Sequence, residues 1–265
     1  MQSELVSVIM PTYNSGRFLA ESIESVLAQT YSNFELLITD DCSNDGKTRD
    51  IIRHYADMDS RIRVFFFDVN QGPGASRNKC IEMARGRYIA FCDSDDRWVK
   101  EKLERQVSFI QEHGYCLVFS SYWQCDENGS TTGIVLAPES VTLTDMKHDN
   151  KIGCLTAIYD TARFGKYYMP TIRKRQDWAL FLTILKDCKE AYAITEPLAY
   201  YRISKGSVSK NKFELVKYNA NIYKQVFGYS TIASYAYLFF VFMPAYSVKV
   251  IGNHINSAKY RRLKS

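Results

Sequence analysis

Histidine is scarce in this sequence, with four copies among 265 residues, and His54, His113, His148 and His254 show no ligand-like spacing. The seven cysteines are odd in number and form no Cys-x-x-Cys pair. A structural zinc site or a disulfide framework is therefore not expected, and reduced thiols in a cytoplasm fit the pattern. Charge of one sign is nowhere concentrated before the C-terminus: 34 Lys and Arg face 29 Asp and Glu, for a net charge of +5. That dispersal lacks a basic footprint, so no nucleic-acid partner is expected. Val6–Met10 is too short for a secretory apolar region and follows no charged segment, so no signal peptide is expected at the start. Internal repeats and low-complexity linkers are also missing.

The composition that remains is that of a globular protein, 46% hydrophobic and 24% charged. This apolar content can offset the entropy of ordering, which excludes a disordered chain. Aromatics reach 14%, a share that a packed core uses more often than a sugar-stacking surface.

Hydrophobic periodicity alternates between strand and helix through residues 1–120. Strands are expected at Val6–Met10, Phe34–Thr39, Ile62–Phe67 and Tyr88–Cys92. Helices are expected at Arg17–Gln29, Lys47–Tyr55, from the Asn70–Gly74 loop to Ala84, and from Trp98 to Glu112. The alternation predicts a doubly wound, mostly parallel α/β sheet with right-handed crossovers. Such sheets bind ligands beyond the carboxyl ends of their strands. Residues 121–210 read as a mixed half: a hairpin around Asp126–Gly129, a strand at Ile152–Tyr159, a helix from Asp177, and strands at Ala191–Thr195 and Leu198–Ile203. Residues 211–265 read as a helical C-terminal segment.

Four constellations stand at the expected strand ends. Asp93-Ser94-Asp95-Asp96 sets three carboxylates within four positions. Such a cluster needs a compensating cation, and hard oxygen ligands favour Mg²⁺ or Mn²⁺, which would clamp a diphosphate. An Asp-rich turn capping the helix at Trp98 would use the same residues. Asp40-Asp41 can accept from a base or a ribose, or can serve as a turn before Asn44-Asp45-Gly46. Gly72-x-Gly74 lacks the third glycine of a dinucleotide fingerprint and has Arg77 in its place, which excludes a dehydrogenase and suits a phosphate or base contact. Asp177, near a helix start, is a candidate general base or an N-cap.

In this order the residues resemble the inverting family-2 glycosyltransferases of the GT-A fold. Val6-Ser-Val-Ile-Met-Pro-Thr-Tyr-Asn14 is similar to that family's opening strand and Leu37–Gly46 to its base-binding strand. Asn70-x-Gly72 with Ala75-Ser-Arg-Asn78 is similar to its donor loop, and Ala84–Asp96 to the approach to its metal motif. The resemblance implies a nucleotide-diphosphate sugar donor, most commonly a UDP-sugar, held by Pro11, Thr12, Tyr13, Asn14, Asp41, Arg77, Asp93 and Ser94. It implies Mn²⁺ or Mg²⁺ on Asp95 and Asp93, and Asp177 as catalytic base. Gln176 stands where the family often has Glu, and Ser204 where it often has His after Tyr201-Arg202. A sugar nucleotidyltransferase would carry a Gly-rich phosphate loop after the first strand, which Pro11–Arg17 is not. A non-catalytic binding protein could dispense with Asp41, Asp93, Asp95 and Asp177, all of which are present.

The C-terminal stretch adds one feature. Ile232–Val248 is 17 residues without a charge, interrupted by Pro244 and rich in aromatics, and Lys259, Arg261, Arg262 and Lys264 follow. This pattern predicts a helix across residues 232–264 lying at a membrane interface, with the basic cluster near anionic headgroups. It fits a lipid-linked saccharide acceptor in bacterial surface polysaccharide (O-antigen type) assembly, on the cytoplasmic side of the inner membrane.

Overall fold

The computed structural model describes residues 4–170, 172–204 and 212–264. The expected boundary at 210/211 lies outside them, as does the side chain of Lys264. The first half alternates β1 (Val6–Thr12), α1 (Leu19–Leu27), β2 (Phe34–Asp40), α2 (Thr48–Met58), β3 (Ile62–Phe66), α3 (Pro73–Met83) and β4 (Tyr88–Phe91). Then come β5 (Arg97–Trp98), α4 (Lys102–His113), β6 (Leu117–Cys125), β7 (Thr131–Val135), β8 (Ser140–Thr142), α5 (Leu143–His148), β9 (Ile158–Asp160), α6 (Gln176–Cys188) and β10 (Glu190–Arg202). Three helices close the chain: α7 (Lys212–Phe227), α8 (Thr231–Tyr237) and α9 (Met243–Lys264).

The main path of the sheet runs β3-β2-β1-β4-β9-β6-β10-β5. Its first four strands are parallel, as the alternation predicts. β9 enters antiparallel between β4 and β6, and β6 and β10 are parallel again. The period of 2 along β1 divides its side chains between two cores. Val6, Val8 and Met10 join the cluster under α1 and α4, while Ile9 joins the one under α3 and α6.

Ser7 shares the Ile9 face and supports a buried polar knot. It donates to Glu35 at 2.7 Å and accepts from the Gly86 N–H at 2.8 Å, while Arg63 and the Arg85 N–H also donate to Glu35. Burial opposes the Glu35 charge, but these donors outweigh it and hold its carboxyl below the ordinary value. Gly86 is required here, because a Cβ would lie 2.6 Å from both the Leu5 carbonyl and the Ser7 nitrogen. Neither backbone atom can yield cheaply. Gly86→Ala is expected to cost about 1–3 kcal/mol, the usual range for overpacking, read as a lower urea midpoint at unchanged slope.

Four expectations need correction. Trp98 does not open a helix: it is extended, paired with Ala199, and its indole donates to the Leu155 carbonyl at 2.9 Å. Helix α4 therefore starts at Lys102. Ile152–Tyr159 is a strand only at its end, since a tight turn at Cys154–Thr156 precedes β9. The two late strands are one, β10, with its register shifted on either side of Pro197, which has no N–H to give the ladder. Cys116 and Cys188 form a disulfide across 72 residues. Their spacing gave no hint of it, because the pair meets only when the end of α6 packs at the start of β6.

Candidate active site

The carboxyl ends of β1, β2 and β4 converge on one edge of the sheet, and each end is pinned by hydrogen bonds. After β1 the chain leaves through Asn14 in a left-handed turn at φ 49°, a conformation that Asn tolerates. Its N–H donates to Ser43 Oγ at 2.9 Å, and its amide exchanges bonds with Asn44. Asp45 ties both loops together: it accepts from the Gly16 N–H and caps α2 through Thr48. Burial opposes ionisation of Asp45, yet these donors bring its pKa to about 2. Thr12 ends β1 buried, with its Oγ1 unpartnered among the described residues. Tyr13 beside it is 47% exposed.

Asp40 is fully buried and bonded to Arg49 and the Ser43 N–H. Asp41 reaches across to the glycine loop, where its two oxygens accept from the Gln71 and Gly72 N–H groups at 2.7 and 2.8 Å. The following Gly74 packs on Gln176, so closely that a Cβ there would meet Gln176 Nε2 at 2.4 Å. Gly74→Ala is expected to push this loop away from α6, read as weakened nucleotide binding in calorimetry.

The acidic turn after β4 does not cap α4, which begins six residues beyond Asp96. Arg77, buried on α3, is bonded to Asp93 at 2.5 Å. Burial works against the Arg77 charge, but Asp93 and Asp177 outweigh it and leave its pKa raised. Ser94 meets Ser15 at 2.8 Å. Burial and then the charge of Asp93 push Asp95 up to about 6, and Asp96, buried beside Asp95, is raised as well. Arg202 lies beneath the turn: its N–H donates to Asp96 and its Nε to the Asp95 carbonyl. Its other end reaches Glu21, and its guanidinium sits 4.4 Å over the Phe18 ring. Arg202 of the late Tyr201-Arg202 pair thus holds the acidic turn.

Asp177 lies in the first turn of α6, after Arg175 in a left-handed conformation. Asn150 Nδ2 donates to its Oδ2 at 3.4 Å. The chemistry of the donor set fits a divalent cation. Asp93 and Asp95 crowd negative charge that Arg77 and Arg202 only partly offset, and both are hard oxygen donors. Among the described residues no three His, Cys, Asp or Glu side chains form a ready cage. Two carboxylates would therefore need substrate oxygens to complete the shell.

The family profile described as "Glycosyl transferase family 2" matches residues 7–169. The chain belongs to glycosyl transferase family 2. This transferase is 42% identical over 223 residues to the Bacillus subtilis protein TuaG, covering 84% of this chain and 88% of that one. It is 38% identical to the Escherichia coli "UDP-Glc:alpha-D-GlcNAc-diphosphoundecaprenol beta-1,3-glucosyltransferase WfgD", covering 82% and 84%. Its fold matches S. aureus TarS 1-349 in complex with UDP at a TM-score of 0.67 and 24% identity, over 92% of this chain and 75% of that one. It also matches the Pyrobaculum calidifontis mannosyltransferase PcManGT, in complex with GDP-Man and Mn²⁺, at 0.61 and 15% identity, over 98% and 79%. The expected GT-A architecture is therefore present.

The transferase gathers Thr12, Tyr13, Asn14, Asp41, Arg77, Asp93, Ser94 and Asp95 around one sheet edge, with Pro11 buried in β1 behind them. Asp177 approaches from α6, near enough for its charge to act on Arg77. The matched region ends before Asp177. Sequence reading missed Asp45, Ser15, Glu21 and Asn150. Only Asp45 had a visible signal, standing three residues before Thr48 at a helix start.

Proposed function

We propose that this transferase moves a hexose, with inversion, from a UDP-sugar to a saccharide on a lipid diphosphate, in bacterial surface polysaccharide assembly. The observation that carries the reading is the convergence of the Arg77–Asp93 pair, Asp95 and Asp177 at one strand-end edge. WfgD and the E. coli WfaP, both over 80% covered and both named as UDP-Glc:alpha-D-GlcNAc-diphosphoundecaprenol beta-1,3-glucosyltransferases, support the donor and acceptor classes.

In this reading Thr12, Tyr13 and Asn14 border the base, and Asp41 holds the glycine loop closed over the nucleotide. Mn²⁺ or Mg²⁺ on Asp95 and Asp93 would supply charge compensation for the diphosphate leaving group. Arg77 keeps Asp93 aimed through their ion pair. Asp177 takes the proton from the acceptor hydroxyl, whose oxygen attacks the anomeric carbon from the face opposite the nucleotide. Incubating the protein with UDP-glucose, Mn²⁺ and a synthetic GlcNAc-diphosphate lipid tests this. A disaccharide-lipid with the anomeric configuration inverted by NMR is expected. Retained configuration, or nucleotide release only without acceptor, would overturn it.

The C-terminal helices support a seat on the membrane. Residues 231–264 contain no Asp or Glu. Thr231–Arg262 is long and apolar enough to cross a bilayer, but one side of it packs on the protein: Ser234, Leu238, Phe242 and Ser257 are buried. A π-helical segment, Leu238–Phe242, precedes Pro244 and keeps the helix continuous past the N–H that proline lacks. The opposite side exposes Ile232, Phe240, Val248 and Ile251 at 60–84%. One apolar side, one docked side and a basic end describe a helix lying in the interface. The double variant Phe240→Glu, Ile251→Glu is expected to lose flotation with anionic liposomes while keeping donor binding. Equal flotation of both proteins would refute this seat.

A further inference from the structure

We propose that α9 is part of the catalytic apparatus: its Lys249 holds the Asp149–Asn150 turn so that Asn150 positions the Asp177 carboxylate. The inference rests on the reading of Asp177 as the base and extends it to two residues that no resemblance assigns.

The contacts form an unbroken path. Lys249 Nζ lies 3.0 Å from the Asp149 carboxylate, which is 2% exposed, and it also donates to the Asn150 carbonyl. Burial lowers the Lys249 pKa, and the charge and hydrogen bond of Asp149 act against that fall. Asp149 is the buried member and the Lys249 side chain is 30% exposed, so the lysine reaches in from the surface to compensate a buried carboxylate. The Asn150 side chain has little freedom left. Its Oδ1 accepts from the Ile152 N–H at 3.2 Å, which leaves Nδ2 to face Asp177 Oδ2. An amide fixed at its oxygen presents its donor in one direction, and here that direction is the base.

The same helical segment grips the other side of the base. Trp178, next to Asp177, donates from its indole to the Met146 carbonyl at 2.7 Å. Its ring packs 5.3 Å from Phe242 and 5.9 Å from Tyr223. Phe242 and Lys249 thus reach the flank and the front of the α6 N-terminus from one continuous helix. The outer side of that helix is the apolar face read above as lying on lipid. Seating on the membrane that carries the acceptor and aiming of the proton acceptor are in this way properties of one element.

The test uses the full chain, UDP-glucose with Mn²⁺ and the GlcNAc-diphosphate lipid. Asn150→Ala is expected to lower kcat by up to about 10²-fold, the cost of a misplaced reacting group, with the calorimetric Kd for UDP and the melting midpoint unchanged. Lys249→Met alone strands a buried carboxylate and can unfold the protein. The double variant Lys249→Met, Asp149→Asn removes both charges and is expected to reproduce the kcat loss, while Lys249→Arg restores activity. Wild-type kcat in Asn150→Ala, or a parallel loss of UDP affinity, would overturn the positioning role. Asp177→Asn, run alongside, separates the two failures: if it is also active, the assignment of the base falls and not only that of its support.

Discussion

Asp177→Asn should remove about 10²–10⁴-fold of kcat, the usual contribution of a positioned base, while leaving UDP-sugar binding intact. The expectation of a separable effect comes from the layout. The groups proposed to border the nucleotide sit on β1, β2, α3 and the turn after β4, whereas Asp177 sits on α6 and accepts from Asn150. The amide is isosteric with the carboxylate, so the first turn of α6 keeps its shape. It can still meet Asn150 through its oxygen, but it cannot accept a proton. One electrostatic consequence reaches the donor site. The Asp177 charge helps keep Arg77 raised, yet Asp93 is the larger contributor and remains, so Arg77 stays charged in the variant. Calorimetry with UDP-glucose and Mn²⁺ alongside single-turnover kinetics separates binding from chemistry. A variant that turns over at the wild-type rate would remove Asp177 from the mechanism. One that no longer binds donor would make it part of the nucleotide site.

The first half of the sheet was legible because each of its signals is local. A buried parallel strand writes a continuous apolar run, and β1 and β2 are buried along their full length. The acids sit at the ends of such runs, where the topology must deliver them to one edge. The second half was less legible for physical reasons that particular residues show. Trp98 sits beside a helix but is held extended by β10, which lies about a hundred residues away in sequence. Pro197 breaks the hydrophobic reading of a strand that the sheet nevertheless continues past it. Cys116 and Cys188 are joined only by packing of distant elements.

Within the site the same division holds. Asp93, Asp95 and Arg77 are found by motif, yet the roles of their supports are long-range. Arg202 holds the acidic turn through bonds to Asp96 and to the Asp95 carbonyl across more than a hundred residues. Asp41 illustrates the limit of a residue-level expectation. It stands where a ribose contact was anticipated, and both of its oxygens are occupied by the glycine loop. A base or ribose contact there would share these oxygens, and the loop's closure is set by the same carboxylate.

Asp95→Ala should abolish metal-dependent donor affinity and, in the metal-free protein, leave the fold intact or firmer. Loss of an outer-shell partner of a metal typically costs about 10–100-fold in affinity, and a direct ligand should exceed that. The stability arm follows from the sign of the pKa shift. Asp95 is raised to about 6 by burial and by Asp93, so its charged form is disfavoured in the folded chain relative to the unfolded one. A carboxyl raised on folding takes stability away as pH climbs from its unfolded value through about 6, and at pH 7 that loss is complete. Deleting the carboxylate removes the loss, and the Asp95 carbonyl that Arg202 holds is untouched by the substitution. Binding and folding should therefore move in opposite directions. Titrating UDP-glucose with and without Mn²⁺, together with melting at pH 7 in EDTA, reads both. If Mn²⁺ still strengthens donor binding in Asp95→Ala, the ion is held elsewhere. If the metal-free variant melts lower, Asp95 has a structural partner that outweighs its repulsion from Asp93. A higher melting point with Mn²⁺-dependent binding lost would identify Asp95 as a carboxylate kept at a cost to the fold because the donor's diphosphate requires it.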